Sequence, residues 1–371
     1  MDEHLQTTAL TGHHVAAGAR LAPFAGWSMP LRFEGTLAEH AAVRAEVGAF
    51  DVSHLGTVWI EGAQAAEVVA ATFTNDPARL EDGTSQYTLC CDEQGGIVDD
   101  LILYRVSRRR FVAVPNAANT AAVTASLEAE AADRAATVLD ASSEWAVLAV
   151  QGPRALAVTD QVLIALGAAG SPAAMTPAFG VRHVELAGGA LLLCRTGYTG
   201  ERGVELLVPD ALALAVWEAL SSAGVTACGL AARDTLRLEM GYPLHGNELS
   251  PSRHPYEARL GWAVRLDRDA FRGRQALVAA KATGPSERLW GLVAAGRRPA
   301  RAGLEVLRVG TDEVVGTTTS GSLSPTLGVP IALAYLEASF GPGDRVELDV
   351  RGHRTDADVV RPPFVERDPK A

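Results

Sequence analysis

Two adjacent aspartates follow a glycine pair in the stretch GGIVDDLILYR, which begins at Gly95. The pattern predicts a tight turn and then a strand over 97–106. Because side chains alternate along a strand, Asp99 and Asp100 face opposite ways, each among apolar neighbours. A strand that is apolar on both faces is normally covered on both, so at least one aspartate is expected in a largely desolvated position. Such a carboxylate either caps the amides of the turn or serves as an acid or base.

A second group of charged residues lies on a glycine-rich turn and on one short helix. Glu205 follows Gly203 in CRTGYTGERGVELL, where a turn is predicted to lead into a strand. The stretch GLAARDTLRLEMG predicts a helix with Arg233 and Arg237 four residues apart on one face. The two like charges repel each other unless an anion lies nearby, which is either a carboxylate of the fold or a charged ligand.

No familiar nucleotide, hydrolase or zinc motif accompanies these residues. The sequence lacks GxGxxG after a strand, Walker A, GxSxG, HExxH and CxxC, and its nine histidines show no zinc-ligand spacing. His54 is interpreted as a hydrogen-bonded core residue, because no nucleophile or metal ligand is near it in sequence. The strand carboxylate, the Glu and Arg residues on turns and the aromatic residues beside them suit a site that holds a planar heteroaromatic ligand and moves one proton.

The elements expected to position these residues indicate an α+β fold, because short helices alternate with antiparallel-type hairpins. One strand-like stretch is predicted over 50–60. Another strand runs over 111–116, where Pro115 lacks a ladder amide and predicts an edge strand. Residues 281–286 form a polar Gly/Pro break, and the short apolar runs beyond it predict a small all-β module.

Length and composition indicate a globular protein with more than one domain. The chain has 371 residues, 48% of them hydrophobic and 21% charged. Its net charge of −11 argues against nucleic-acid or membrane-surface partners. The four cysteines form no CxxC pair and are expected to be reduced and buried. No apolar run reaches the ~18 residues of a membrane span, and no signal or transit peptide is recognised, so a cytoplasmic location is expected.

Short blocks along most of the chain, from about residue 21 to residue 364, resemble those of the aminomethyltransferase family, the T-proteins of the glycine cleavage system. They come in the family's order and spacing. The blocks are FAGWSMPL (24–31), EHAAVR (39–44), FDVSHLG (50–56), TND (74–76), GGIVDDLILYR (95–105), NAAN (116–119), QGP (151–153), RTGYTGERGVEL (195–206), GLAARDTLRLE (229–239), GWAVRLD (261–267), TSGSLSPTLG (319–328), IALAYL (331–336) and PPFV (362–365).

The resemblance implies a three-lobed fold around a central folate site. Residues 1–280 would form a folate-binding region of two intertwined α+β lobes, and residues 287–366 a C-terminal β-barrel domain. It also implies the reaction: the aminomethyl group carried on the dihydrolipoyl arm of the H-protein passes to tetrahydrofolate, giving 5,10-methylenetetrahydrofolate and ammonia. The implied co-substrate is tetrahydrofolate, no metal is implied, and the P- and L-proteins would be transient partners.

The resemblance also assigns roles to single residues. Asp100, the second aspartate of the acidic pair, corresponds to the family's key acid, which would hold a folate nitrogen and stabilise positive charge as ammonia leaves. Glu205 would bind the polar edge of the pterin. The remaining folate-lining residues would be Asn116, Tyr87, Tyr198, Arg233, Trp262 and Leu55, the last in an apolar wall where the family usually has Met. Whether Arg233 contacts the glutamate tail or orients Glu205 stays open.

Three other functions compete with this interpretation. A tetrahydrofolate-dependent demethylase of a small amine or sulfonium compound would share the fold, and relatives of that kind usually keep the aspartate. A non-catalytic folate-binding protein of the iron–sulfur maintenance type would carry a KGCYxGQ motif, whereas this chain has RTGYTGERG from Arg195. A purely structural interaction protein would not need Asp100, Glu205 and Arg233 together.

Overall fold

The computed structural model describes residues 5–350 and 352–370, which form two compact units. The first unit contains residues 5–88, 100–233 and 368–370, and the second contains residues 89–99 and 234–367. The division falls within two strands and one helix, so neither unit is a continuous stretch of chain.

The helices and strands alternate along the described chain. The strands are β1 Arg20–Phe24, β2 Trp27–Arg32, β3 Gly48–Asp51, β4 Val58–Gly62, β5 Thr84–Cys91, β6 Ile97–Ser107, β7 Arg110–Val114, β8 Ala136–Asp140, β9 Trp145–Gln151, β10 Val181–Leu186, β11 Gly189–Cys194, β12 Gly203–Pro209, β13 Thr226–Cys228, β14 Glu287–Ala294, β15 Glu305–Arg308, β16 Val314–Leu323, β17 Pro330–Glu337, β18 Arg345–Asp349 and β19 Arg354–Val360. The α-helices are α1 Thr11–Ala16, α2 Thr36–Ala45, α3 Ala65–Thr72, α4 Thr120–Ala131, α5 Ala155–Ala165, α6 Pro172–Met175, α7 Asp210–Ser222, α8 Leu230–Glu239 and α9 Arg274–Thr283. Short 3₁₀ helices cover Pro77–Arg79, Ala117–Asn119 and Gly261–Ala263.

The first unit contains a six-stranded sheet in the order β10-β11-β12-β9-β3-β13, in which only the β13–β3 pair is parallel. Helix α7 packs on it through an apolar stripe at helical spacing, formed by Ala213, Val216, Trp217 and Leu220. The central strand β9 is almost entirely buried, as its apolar sequence WAVLAVQ predicts. This sheet therefore gives β12 a rigid support for Glu205.

A five-stranded sheet in the order β5-β6-β7-β4-β8 carries the acidic pair. On β6 the face that includes Asp99 is buried from Ile97 to Leu103, whereas the face that includes Asp100 is half-buried, except at the buried Tyr104. The expectation of one desolvated aspartate thus holds for Asp99. The edge-strand prediction from Pro115 is wrong: β7 lies inside the sheet, and it ends at Val114, so the proline removes no amide from the ladder.

The single strand predicted over 50–60 is also wrong. The stretch divides into β3 and β4, which belong to different sheets, and the turn between them carries His54 and Leu55. The cause is local: the Asp51 carboxylate accepts hydrogen bonds from both the backbone N–H and the hydroxyl of Ser53, which bends the chain away from the strand.

The second unit contains a closed barrel in the order β14-β17-β16-β15-β18-β19. Close packing around it leaves no room for a side chain at Gly321, where a Cβ atom would lie 1.5 Å from the carbonyl oxygen of Ala300. The predicted α+β class with an all-β C-terminal module is confirmed. Among residues 5–350 and 352–370, no helix is long and apolar enough to span a bilayer.

Candidate active site

The Asp100 carboxylate is held by two side chains from neighbouring parts of the five-stranded sheet. The hydroxyl of Tyr87 on β5 donates to Oδ2 at 3.0 Å. Nδ2 of Asn116 donates to Oδ1 at 3.1 Å and to the Asp100 backbone oxygen at 3.0 Å. Asn116 reaches this position because β7 pairs Val114 with Ile102 in an antiparallel register. Asn116, two residues after Val114, therefore lies opposite Asp100. Both carboxylate oxygens are therefore fixed by neutral donors.

Glu205 is held by a chain of hydroxyl groups. Thr196 Oγ1 donates to Glu205 Oε2 at 2.6 Å, and the Tyr104 hydroxyl lies 2.7 Å from Thr196 Oγ1 and 3.4 Å from Oε2. Since the single hydroxyl proton of Thr196 points at the carboxylate, Tyr104 must donate to Thr196. Burial, together with Cys194 and Glu205, raises the pKa of Tyr104, so it remains a neutral donor.

Asp100 and Glu205 lie on the same side of β6. Asp100 and Tyr104 are four residues apart on one strand face, about 13 Å along the strand. Tyr104 leads through Thr196 to Glu205, so the two carboxylates lie on the same side of β6 within the first unit. Sequence reasoning missed Tyr104 and Thr196. The two-residue period of β6 could have pointed to Tyr104, and the only signal for Thr196 was its place in the block RTGYTGERGVEL.

The guanidinium group of Arg233 packs against an aromatic ring, and one of its nitrogens lacks a hydrogen-bond partner among the described residues. Its Cζ lies 4.7 Å from the ring centroid of Tyr198, and Nη1 is buried and has no hydrogen-bond partner among the described residues. Burial lowers the pKa of Arg233, an effect that the negative charge of Glu205 and the nearby Tyr198 oppose. The structure thus places the Arg233 guanidinium against the Tyr198 ring, with Glu205 near enough to affect the pKa of Arg233.

The turn between β3 and β4 adds His54 and Leu55. The N–H of Gly56 donates to the oxygen of Pro115 at 2.9 Å, which puts half-buried Leu55 next to the Asn116 segment. His54 is buried, as expected, but its Nδ1 has no hydrogen-bond partner in the described chain. Burial and the charge of Arg233 lower the pKa of His54 to about 3, so its ring is neutral at physiological pH.

The loop that carries Tyr198 is fixed by residues that sequence reasoning did not select. Arg44 of α2 donates to the oxygen of Thr199 at 2.7 Å and to Glu201 Oε1 at 2.9 Å, in a buried ion pair. Gln151 accepts from the Thr199 hydroxyl at 2.8 Å and donates to the oxygen of Thr196. Arg44 and Gln151 lie in the blocks EHAAVR and QGP, which carry the resemblance. Their place in these blocks was the sequence feature that could have identified them.

Trp262, the last predicted site residue, lies in the second unit on the 3₁₀ helix Gly261–Ala263. It is 62% exposed. No group of three or more His, Cys, Asp or Glu that could hold a metal ion occurs within residues 5–350 and 352–370.

Comparisons with known proteins show the family to which the chain belongs. Residues 10–268 match the GCVT N-terminal domain, and residues 287–366 match the glycine cleavage T-protein C-terminal barrel domain. Aminomethyltransferase of Frankia alni is 48% identical, over 99% of both chains, and that of Mycobacterium tuberculosis is 49% identical, over 96% of both. The crystal structure of glycine cleavage system aminomethyltransferase T from Bartonella henselae has a TM-score of 0.90 at 36% identity, covering 98% of this chain and 99% of the other. The chain therefore belongs to the glycine cleavage T-protein family and is a transferase of the aminomethyltransferase class.

Proposed function

We propose that this protein transfers the methylene carbon of an aminomethyl group, carried on the dihydrolipoyl arm of the H-protein, to tetrahydrofolate. The carbon–nitrogen bond of the aminomethyl group breaks and ammonia leaves. The carbon–sulfur bond to the lipoyl arm also breaks, which restores the dihydrolipoyl thiol. Two folate nitrogens bind the carbon, giving 5,10-methylenetetrahydrofolate. The family assignment and the carboxylate pair described above support this reaction.

The observation that carries the proposal is the Asp100 carboxylate, fixed between Tyr87 and Asn116. A carboxylate with both oxygens already anchored has a set direction for its remaining lone pairs. In the proposed role these lone pairs accept a hydrogen bond from a folate nitrogen, and the negative charge stabilises the cation that develops as ammonia leaves. Because the donors are in place before the substrate binds, no reorganisation is needed during the reaction.

Glu205 and Arg233 are proposed to bind the polar edge of the folate. Oε2 of Glu205 is occupied by Thr196, while Oε1 accepts no hydrogen bond from the described residues and is available to an aminopyrimidine edge. The buried Nη1 of Arg233 is a hydrogen-bond donor without an acceptor among the described residues. An acceptor on the ligand would remove the free-energy cost of leaving this donor unpaired. Tyr198, Leu55 and Trp262 would supply aromatic and apolar contacts.

The proposed carrier is the lipoylated H-protein, with the P- and L-proteins as transient partners in the same system. A cytoplasmic location is proposed with it. The four cysteines are free thiols and all are buried, which suits a reducing compartment.

One assay tests the function. Purified protein is given aminomethyl-loaded H-protein and tetrahydrofolate, and ammonia and 5,10-methylenetetrahydrofolate are measured; both should form in equal amounts. A parallel reaction contains free dimethylglycine or a sulfonium compound in place of the H-protein. Turnover of the free substrate alone would overturn the proposal in favour of a tetrahydrofolate-dependent demethylase.

A further inference from the structure

Two buried polar atoms of the first unit lack partners, and they belong to residues that lie near each other. Nδ1 of His54 and Nη1 of Arg233 are both enclosed, and neither has a hydrogen-bond partner among residues 5–350 and 352–370. The positive charge of Arg233 reaches His54, where it opposes protonation of the ring. A buried donor or acceptor that stays unpaired costs free energy, so each of these atoms is a candidate for a functional contact.

The turn and the ring of His54 are both held in place. The N–H of Gly56 donates to the oxygen of Pro115 at 2.9 Å, which fastens the turn to the segment that leads to Asn116. The ring of Phe24 meets the imidazole edge to face, with centroids 5.3 Å apart and ring planes at 88°. His54 therefore presents its two nitrogens in fixed directions.

The surroundings of His54 determine which ring nitrogen carries the hydrogen. The imidazole is neutral, so one nitrogen is a donor and the other has a free lone pair. A hydrogen on Nδ1 would need an acceptor, and the carboxylate whose charge reaches His54 is that of Asp51. The oxygens of Asp51 already accept hydrogen bonds from Thr8, His14 and, twice, Ser53. A carboxylate has about four lone-pair sites, so Asp51 has none left for Nδ1.

We propose that His54 is a positioning residue for Arg233. When a folate is bound, Nη1 of Arg233 donates one of its two hydrogens to Nδ1 of His54, and the other hydrogen then points at the ligand. The inference rests on the proposed function, because that function makes Arg233 a folate-binding residue. Arginine has donors and no acceptor, whereas the histidine tautomer with its hydrogen on Nε2 has an acceptor at Nδ1, so the two unpaired atoms are complementary.

Steady-state kinetics test whether His54 acts through Arg233. His54→Phe keeps an aromatic ring beside Phe24 and removes the acceptor, so the KM for tetrahydrofolate should rise about five- to tenfold, with kcat changed less than about twofold. His54→Asn puts an amide oxygen near the position of Nδ1 and should keep the KM within about twofold of that of the unmodified protein. The double variant H54F/R233Q should have the KM of R233Q alone, because the effect of His54 disappears once Arg233 is gone.

Nuclear magnetic resonance of protein labelled with nitrogen-15 histidine tests the tautomer without turnover. The chemical shifts of an imidazole distinguish a nitrogen that carries a hydrogen from one that does not. The signals of His54 are identified by their loss in His54→Asn. Nδ1 of His54 is expected to carry no hydrogen, and its signal should move when tetrahydrofolate is added.

A hydrogen on Nδ1, or an Nδ1 signal that saturating tetrahydrofolate leaves unchanged, would refute the inference. So would an unchanged KM in His54→Phe, an equal rise in the KM of His54→Asn, or a KM for H54F/R233Q that multiplies the two single effects. If His54→Phe does not fold, the nitrogen-15 measurement on the unmodified protein still decides. Absence of aminomethyl transfer by the unmodified protein would refute the proposed function instead, and the Nδ1 signal with tetrahydrofolate would still test the contact.

Discussion

The hydrogen bond from Tyr87 to Asp100 provides a sharp test of how the acid is held. Tyr87→Phe removes one hydroxyl and keeps the ring. Hydrogen bonds to charged groups contribute about 1.5–3 kcal/mol. The lower end applies here, because 3.0 Å is long for a bond to a carboxylate and Asp100 is half-buried, so water can replace part of it. About 1.5 kcal/mol corresponds to roughly a tenfold fall in kcat/KM.

The measurement is the initial rate of methylenetetrahydrofolate formation at several concentrations of tetrahydrofolate. Tyr256→Phe is a matched control, because it deletes a buried tyrosine hydroxyl that has no hydrogen-bond partner among residues 5–350 and 352–370. That variant should keep the rate of the unmodified protein. Equal rates for Tyr87→Phe and Tyr256→Phe, with both proteins folded by circular dichroism, would show that the Tyr87 hydroxyl does not support Asp100.

Three further outcomes follow from other contacts. Glu205→Gln should raise the KM for tetrahydrofolate by about tenfold or more, because it removes the charge that we propose binds the pterin edge; an unchanged KM would contradict that role. Arg44→Met should lower the free energy of unfolding in urea by about 3 kcal/mol, since it breaks a buried ion pair, and the double variant R44M/E201L should recover much of the loss. Burial alone would raise the pKa of Asp51, but hydrogen bonds and the charge of His14 lower it overall. The stability that Asp51 contributes is therefore present above about pH 4 and is lost as pH falls below it. Asp51→Asn should make the free energy of unfolding, measured in urea between pH 6 and pH 3, depend less on pH.

Local pattern predicted the acidic strand and the alternation of its faces. The period of two placed Asp99 and Asp100 on opposite sides of β6, and in the structure Asp99 is buried whereas Asp100 is half-buried. The resemblance supplied Tyr87 and Asn116 as ligand contacts. The structure shows each of them hydrogen-bonded to Asp100 itself, so they position the acid.

Other features depend on contacts between distant parts of the chain, which no local pattern encodes. Thr196 reaches Glu205 because two antiparallel strands pair Cys194 with Glu205, and that pairing is a property of the folded sheet. Pro115 resembled an edge-strand residue because sequence does not reveal that β7 has already ended before it. The assignment of Trp262 to the folate and the boundary between residues 280 and 287 stay predictions.

The most direct test of the account is Asp100→Asn, assayed for ammonia release from aminomethyl-loaded H-protein in the presence of tetrahydrofolate. The substitution keeps the size and shape of the side chain, removes its charge and replaces one of its two acceptor oxygens with an NH2 donor. The account predicts a fall in turnover of more than tenfold, at least about 1.4 kcal/mol of activation free energy, with the urea midpoint little changed. A fall of less than tenfold in a folded protein would show that the charge of Asp100 does not stabilise the departing ammonia.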